Sequence, residues 1–477
     1  MLHSQAARPA GSIPEAQQPS PRELYFALLQ DPANAAMHES ALRFLQQAFK
    51  DTASQPSPIP QDVKLLQQWM VRSCREAGQR YQQYLQTRKA GAPRLYFGSK
   101  AHALNFIKNV APTKMVDGAW LYSLVKHWDD PRYDDLVNIY LEELGDGEAG
   151  QNHVAIYRQL IREHGCEQWK TLPDRYFAQG LTQLALAMHG DAFLPEVIGF
   201  NLAYEQLPLH LLITAYELNE LNIDPYYFTL HITIDNALSG HAVQAVRAVQ
   251  EAMQQFGDRE EFMRRLANGA RLNMAGMGSV EIIQQFSLEE ELLNIFKEKA
   301  SLGQFMHNPH CRIGKRHLQE WLSNGEAMPE LLQALRNHGW IKRHQDPCRS
   351  RFWQLVESEQ AVMFGVFSAY EKQVLYDWIA GDALESLPKH ERLGPSWRAH
   401  KQQASALTAT TQPSKVIHLM PHNKSQNKEQ QLLTRQLAAL PDHASRMRLL
   451  GSWMSPGLHH LPAGLHATRL FKLGLKQ

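Results

Sequence analysis

The chain of 477 residues is long enough for about three domains, or two with a tail. Its 44% apolar and 20% charged residues exclude a wholly disordered, collagenous or disulfide-scaffold protein. With 49 Lys and Arg against 48 Asp and Glu the net charge is +1, so no global field draws the chain to nucleic acid or to an anionic membrane.

In chain order, residues 1–21 are rich in Pro, Gln, Ala and Ser and are expected to be a disordered tail. N-terminal helices are expected over 22–90. Leu24, Tyr25, Leu28 and Leu29 fall at helical spacing, as do Leu42, Leu45 and Phe49. After a Pro-rich break at 54–61, Leu65, Leu66, Trp69, Met70, Tyr81, Tyr84 and Leu85 mark one face of a long helix over 63–88. Residues 91–300 then read as helices at 99–110, 118–127, 134–143, 152–164, 175–188, 194–207, 209–218 and 225–256, joined by short connections carrying Gly, Pro or Asp. No stretch alternates with period two, so the fold class is all-α. Such bundles build metal sites from side chains facing inward on neighbouring helices.

Residues 301–399 differ. Helices at 315–322 and 329–338 flank an Asn324-Gly325 turn, and the aromatic-rich segments 340–343 and 351–356 are expected to form a β-hairpin. That order makes a small winged-helix-like α+β accessory region, followed by an amphipathic helix at 363–381 docked on the core. Residues 400–432 are expected to be a linker and 433–477 a C-terminal tail.

Cys74, Cys166, Cys311 and Cys348 lie far apart without a CxxC pair and read as reduced thiols of a cytoplasmic protein. No apolar run is long enough to span a bilayer, and the first twenty residues hold no signal-like apolar core. Histidine is frequent, at 23 copies, and is the commonest metal ligand.

The densest chemical signal is YFTLHITIDNALSGHA at 227–242, in a helix opened by Asp224-Pro225. His231 and Asp235 are four apart and share a face, among apolar Leu230, Ile232, Ile234 and Ala237. A carboxylate buried there needs a cation: a metal, an Arg or a Lys. The same spacing also suits an ordinary hydrogen-bonded pair. Glu143 and His153 sit ten apart across the glycine-bearing turn ELGDGEAGQNH and can face one cavity. Glu205 lies among Val197, Ile198, Phe200, Leu202 and Tyr204, where a Glu is poorly tolerated unless paired. Glu196 and Glu217 compete for that role, but the first follows a helix-start proline and the second sits in a more polar run. Imidazoles and carboxylates without thiolates suit iron or manganese better than structural zinc.

The blocks ELGDGEAGQNH, GFNLAYEQLPL and HITIDNALSGHA, within about residues 90–260, resemble those of the heme-oxygenase-like di-iron oxidases and oxygenases, a family of iron-containing redox enzymes. The resemblance implies a heme-oxygenase-like helical bundle that holds Fe, two ions or one, and uses dioxygen to oxidise a small organic substrate. By the same likeness Glu143 and His153 bind one metal, Glu205 bridges, and His231 with Asp235 completes the cage. The family places a further histidine three residues after that Asp; here the position is Leu238, and His241 follows instead. In an ideal helix six residues turn about 240° beyond a full circle, so His241 joins the metal only if Gly240 permits a bend. Tyr204, Tyr226, Tyr227 and Phe228 are candidates to line a substrate pocket, or plain core. Porphyrin is disfavoured, because it leaves the acidic residues unexplained.

His307, His310, Cys311 and His317 do not have zinc-ligand spacing. Lys315, Arg336, Lys342, Arg343, Arg349 and Arg351, near Trp340, Phe352 and Trp353, form a cationic cluster that could touch phosphates or a partner, or pack on the bundle or in a homodimer. The competing functions are therefore a non-enzymatic helical protein that binds nucleic acid or a protein partner there, and a metal-free bundle whose acids pair with Arg or Lys.

Overall fold

The structure, a computed structural model, describes residues 18–32, 34–234, 240–303, 310–357, 361–363, 365–385 and 424–476. It is almost entirely helical. Ser20 opens α1 (Pro21–Gln30) with a capping box: its hydroxyl accepts from the Glu23 N–H, and the Glu23 carboxylate accepts from the Ser20 N–H. Next come α2 (Ala35–Thr52), capped by Asn34, and the long α3 (Leu66–Lys89).

The bundle proper is built round α4 (Lys100–Lys114), whose residues are buried almost without interruption from Lys100 to Pro112. A helix covered on all sides occupies the centre of a fold. After it come a 3₁₀ stretch (Ala119–His127), α5 (Asp134–Glu143), α6 (His153–Glu163), α7 (Ala178–His189), α8 (Leu194–Tyr204) and α9 (Leu209–Glu220). Helices α10 (Tyr226–Ile234), α11 (His241–Gln255) and α12 (Arg259–Leu272) complete it. Glycines set the closest crossing. A Cβ on Gly199 of α8 would stand 1.9 Å from the Leu266 carbonyl oxygen, and one on Gly269 of α12 would stand 1.9 Å from that of Glu196.

The single helix expected over 225–256 is broken. Its first part ends at Ile234, residues 235–239 lie outside the described residues, and α11 starts afresh at His241 after Gly240 in extended backbone (φ −92°, ψ −164°). Gly240 supplies a reason, since glycine weakens a helix interior.

The winged-helix-like order is not found among the described residues. After α13 (Ser279–Gln284) and α14 (Leu288–Gly303), the strands β1 (Arg312–Ile313) and β2 (Arg316–His317) pair antiparallel at the turn before α15 (Leu318–Leu322). Helix α16 (Met328–Asn337) follows. Residues 340–343 form no strand, and the other expected wing strand is helix α17 (Arg351–Glu357). Its buried residues, Trp353 and Val356, are three apart, a helical and not an alternating pattern. The docked helix is α18 (Ala369–Ala380), begun by a Ser368–Glu371 capping box and buried along its whole length.

Residues 386–423, which include 400–423 of the expected linker, lie outside the described residues. The end of the expected linker and the expected tail are helical: α19 (Lys424–Ala438) spans their junction and is followed by α20 (His443–Trp453) and α21 (Pro462–Gly474), both of which bury apolar faces. No helix of the described residues is long and apolar enough to cross a membrane.

Candidate metal centre

Six acidic and imidazole side chains converge between α4, α5, α6, α8, α10 and α11, nearly all at element ends. Asp117 lies in the turn after α4, Glu143 is the last residue of α5, and His153 the first of α6. Glu205 caps the C-terminus of α8, His231 lies on α10, and His241 is the first residue of α11. All six are buried.

They form two groups, within each of which the ligand atoms lie within 4.8 Å of one another: Asp117, Glu143, His153 and His231, and then Glu143, Glu205 and His241. Glu143 is common to both. Glu205, to which the resemblance gives the bridging role, belongs to one group only. Five of the residues singled out in the sequence, Glu143, His153, Glu205, His231 and His241, are brought together here. Asp235 lies outside the described residues. His241 reaches the cluster because the helix break gives it a new starting direction, so the rotation argued from an unbroken helix does not apply.

Asp117 was not visible in the sequence. In KMVDG it resembles an exposed Asp-Gly turn; the available signal was its apolar surroundings, Met115, Val116 and Trp120. Its carboxylate accepts from Tyr204 Oη at 3.1 Å and from Tyr227 Oη, and lies 3.0 Å from His231 Nε2 and 3.9 Å from Lys114 Nζ. Burial alone would raise the Asp117 pKa, but Lys114, His153 and His231 outweigh it and hold the carboxyl well below its ordinary range.

The turn between α5 and α6 is fixed by glycines and by Asn152. Gly145 is left-handed (φ +62°), and a Cβ there would stand 2.3 Å from the Asn152 backbone nitrogen. Asn152 caps α6 by accepting from the Ala155 N–H at 2.9 Å, while its amide donates to the Leu144 carbonyl at 3.1 Å and lies 3.0 Å from His459 Nδ1. Helix α21 closes over the same turn, with Arg469 donating to the Gly147 carbonyl at 3.1 and 3.2 Å.

The donor atoms face one another in a way that calls for cations. His231 lies with Nδ1 2.7 Å from the Tyr227 carbonyl, an acceptor only, so a neutral ring has no proton left for Nε2, which nevertheless faces Asp117. His153 Nδ1 and Glu143 Oε2 are 2.6 Å apart, yet neither is aligned in a hydrogen bond. Glu205 Oε1 is likewise buried without a hydrogen-bond partner. Without a metal the site must hold protons instead. Burial opposes charge on both groups, but His153 draws the Glu143 pKa down to about 2, and Glu143 with Asp117 drives His153 up to about 9. His241 is raised further still, against burial, by Glu205, Glu142 and Glu143.

The rival buried glutamates are satisfied by protein. Glu217 accepts from Tyr84 Oη at 2.6 Å and from the N–H groups of Leu95, Tyr96 and Phe97 at 2.5–3.0 Å. Glu196 pairs with both arms of Arg265 at 2.6 and 2.7 Å. Neither Arg nor Lys pairs with Glu143 or Glu205 among the described residues. The orphaned oxygens and nitrogen, with an all-oxygen and imidazole donor set, fit a divalent redox metal.

A cavity of about 280 Å³ opens onto His231, lined by Val110, Lys114, Tyr204, His210, Leu211 and Ile282 among others. Burial, reinforced by Lys114, pushes His210 down to about 4, so it stays neutral near pH 7. Of the aromatic residues proposed for a pocket wall, Tyr204 lines this cavity. Tyr227 bonds Asp117, Phe228 packs on Phe106, and the partly exposed Tyr226 donates to the Gly150 carbonyl. Cys311 and His317 stand at the small hairpin and belong to neither ligand group.

No curated protein and no solved structure matches this chain. A family model does, over residues 104–274, from α4 through α12, and its description is iron-containing redox enzyme. That span contains every one of the six converging residues, and over it the chain is similar to the iron-containing redox enzyme family.

Proposed function

We propose that the protein is an iron-dependent oxidoreductase that uses dioxygen to oxidise a small organic substrate, with two ions per chain. The observation that carries this reading is the pair of buried ligand groups sharing Glu143, in which Glu143 Oε2, His153 Nδ1 and Glu205 Oε1 make no aligned hydrogen bond. Asp117, Glu143, His153 and His231 would hold one ion, and Glu143, Glu205 and His241 the other. Asp235 remains a proposed additional ligand. When bound, iron supplies the redox chemistry that reduction of dioxygen requires.

The chain's own residues do the rest. The Tyr204 and Tyr227 hydroxyls fix the Asp117 carboxylate, and the Tyr227 carbonyl orients the His231 ring. The cavity beside His231 admits substrate. Val110, Leu211 and Ile282 exclude water from its wall, and Lys114 supplies a positive charge at its inner end. Manganese suits the same donors.

The test is anaerobic loading with ferrous iron followed by desalting and metal analysis. About two irons per chain, with oxygen uptake that is lost in His231→Ala, is the expected result. No retained iron and no uptake would end this reading, and retention of manganese in preference to iron would correct the metal.

A further inference from the structure

We infer that Glu142 is a positioning residue: its carboxylate takes the Nε2–H of His241 and thereby presents Nδ1 to the second ion. This rests on the two-ion reading above. Glu142 and Glu143 are consecutive at the end of α5, so their side chains diverge by about 100°. Glu143 points into the cluster, while the Glu142 side chain is 42% exposed on the outer side of His241.

The His241 ring stands between them. Its Nε2 lies 2.8 Å from Glu142 Oε2, whereas Nδ1 lies 3.1 Å from Glu205 Oε2 and 3.4 Å from Glu143 Oε1. A neutral imidazole carries one N–H. Given to Glu142, it leaves the Nδ1 lone pair facing the two inner carboxylates, which is where an ion held by Glu143 and Glu205 would sit. A carboxylate on the outer nitrogen also makes the ring a stronger donor.

Glu142 is itself held. Besides His241, the Lys472 ammonium on α21 and the Gln244 side chain on α11 favour its charged form. His231 shows the same device with a backbone group: Nδ1 turned to the Tyr227 carbonyl, Nε2 turned inward. The two histidines thus present opposite nitrogens, each selected by the partner on its far side. Only His241 depends on a side chain for this, and a mutation can remove it.

The experiment titrates full-length wild type, Glu142→Ala, Glu142→Gln and His241→Ala with cobalt(II) under nitrogen, against a competing chromophoric chelator. Thermal denaturation of the metal-free proteins verifies that each variant folds. The wild type should bind two ions. Glu142→Ala should bind the first unchanged and the second about 10–100-fold more weakly, the usual effect of losing an outer partner of a metal-bound histidine. Glu142→Gln keeps an acceptor but not the charge, and should fall between. In the cobalt-loaded protein, the shifted exchangeable N–H signal that His241→Ala abolishes should exchange faster with water in Glu142→Ala. Equal binding of both ions by wild type and Glu142→Ala overturns the assignment and leaves the two-ion reading standing. A wild type that takes no second ion overturns both.

Discussion

The sharing of Glu143 makes a quantitative prediction about two carboxylates that look equivalent in sequence. A ligand that binds only the folded state stabilises it by about 2.7 kcal/mol when its free concentration is one hundred times its Kd. Two filled sites should therefore stabilise the wild type by about 5.4 kcal/mol under that condition. Glu205 belongs to one group, so Glu205→Gln should keep one filled site and about 2.7 kcal/mol. Glu143 belongs to both, so Glu143→Gln should keep almost none. The assay is urea denaturation under nitrogen with and without ferrous iron, each variant compared with its own metal-free form. That comparison cancels the cost of altering a buried carboxylate in the empty site. If Glu143→Gln retained half of the metal-dependent stabilisation while Glu205→Gln lost all of it, Glu205 would be the bridge and the geometry argued here would be wrong.

Gly118 offers a steric test of the same carboxylate: an added Cβ would lie 2.8 Å from Glu143 Cβ at a left-handed backbone (φ +80°). Gly118→Ala should cost about 1–2 kcal/mol from the backbone alone and lower the retained iron of both sites, read by metal analysis beside a urea curve. At the α8–α12 crossing, Gly269→Ala would drive a methyl to 1.9 Å from the Glu196 carbonyl oxygen, which backbone cannot easily vacate. A loss of about 3 kcal/mol is expected from its urea midpoint, with the family span otherwise intact. Asp377 gives a pH signature. Burial raises its carboxyl to about 6, partly offset by the Ala101 N–H at 2.7 Å and by Gln373. Between pH 4 and 6 the folded chain holds a proton that the unfolded chain has released, so stability falls as pH rises through that window, by about 3 kcal/mol for a shift of this size. Asp377→Asn should lack this fall; identical pH profiles of wild type and variant would refute the assignment.

Much of the bundle was legible because its helices are amphipathic and punctuated. The segment 134–143 was read to the residue, and the glutamate and histidine bounding the next turn were found because a Gly-rich connection joins two strong helical patterns. The helix over 225–256 misled because mostly apolar residues run on from Tyr226 to Ile234 without Gly or Pro, and the break shown by extended Gly240 depends on what packs around it. Asp117 was hidden because an Asp-Gly pair is ordinarily a surface turn, and its apolar neighbours alone do not say that α4 carries it into the centre of the fold. Aromatic residues at 351–356 suited a strand by composition, but Trp353 and Val356 bury one helical face. The end of the chain reads as a tail, yet Arg469 and His459 reach the α5–α6 turn across more than 300 positions. Contacts of such separation leave no local trace.

Placing ligands at helix ends rather than along helix faces has a mechanical consequence. A side chain in the middle of a packed helix moves only if the helix moves, whereas Glu143, His153, Glu205 and His241 each sit where chain direction changes. Their geometry therefore depends on what fixes the turns. For the first pair this is Gly145, Asn152 and the lid formed by α21; for His241 it is Gly240 and the Glu142 carboxylate. The C-terminal region thus clamps the candidate metal site without adding a side chain to either group: Asn152 connects the α5–α6 turn to His459, and Arg469 connects it to α21. Loosening these contacts should widen the spacing between Glu143 and His153 while leaving both residues in place. The sequence lists the donors, but the turns and the helices that clamp them decide whether those donors meet.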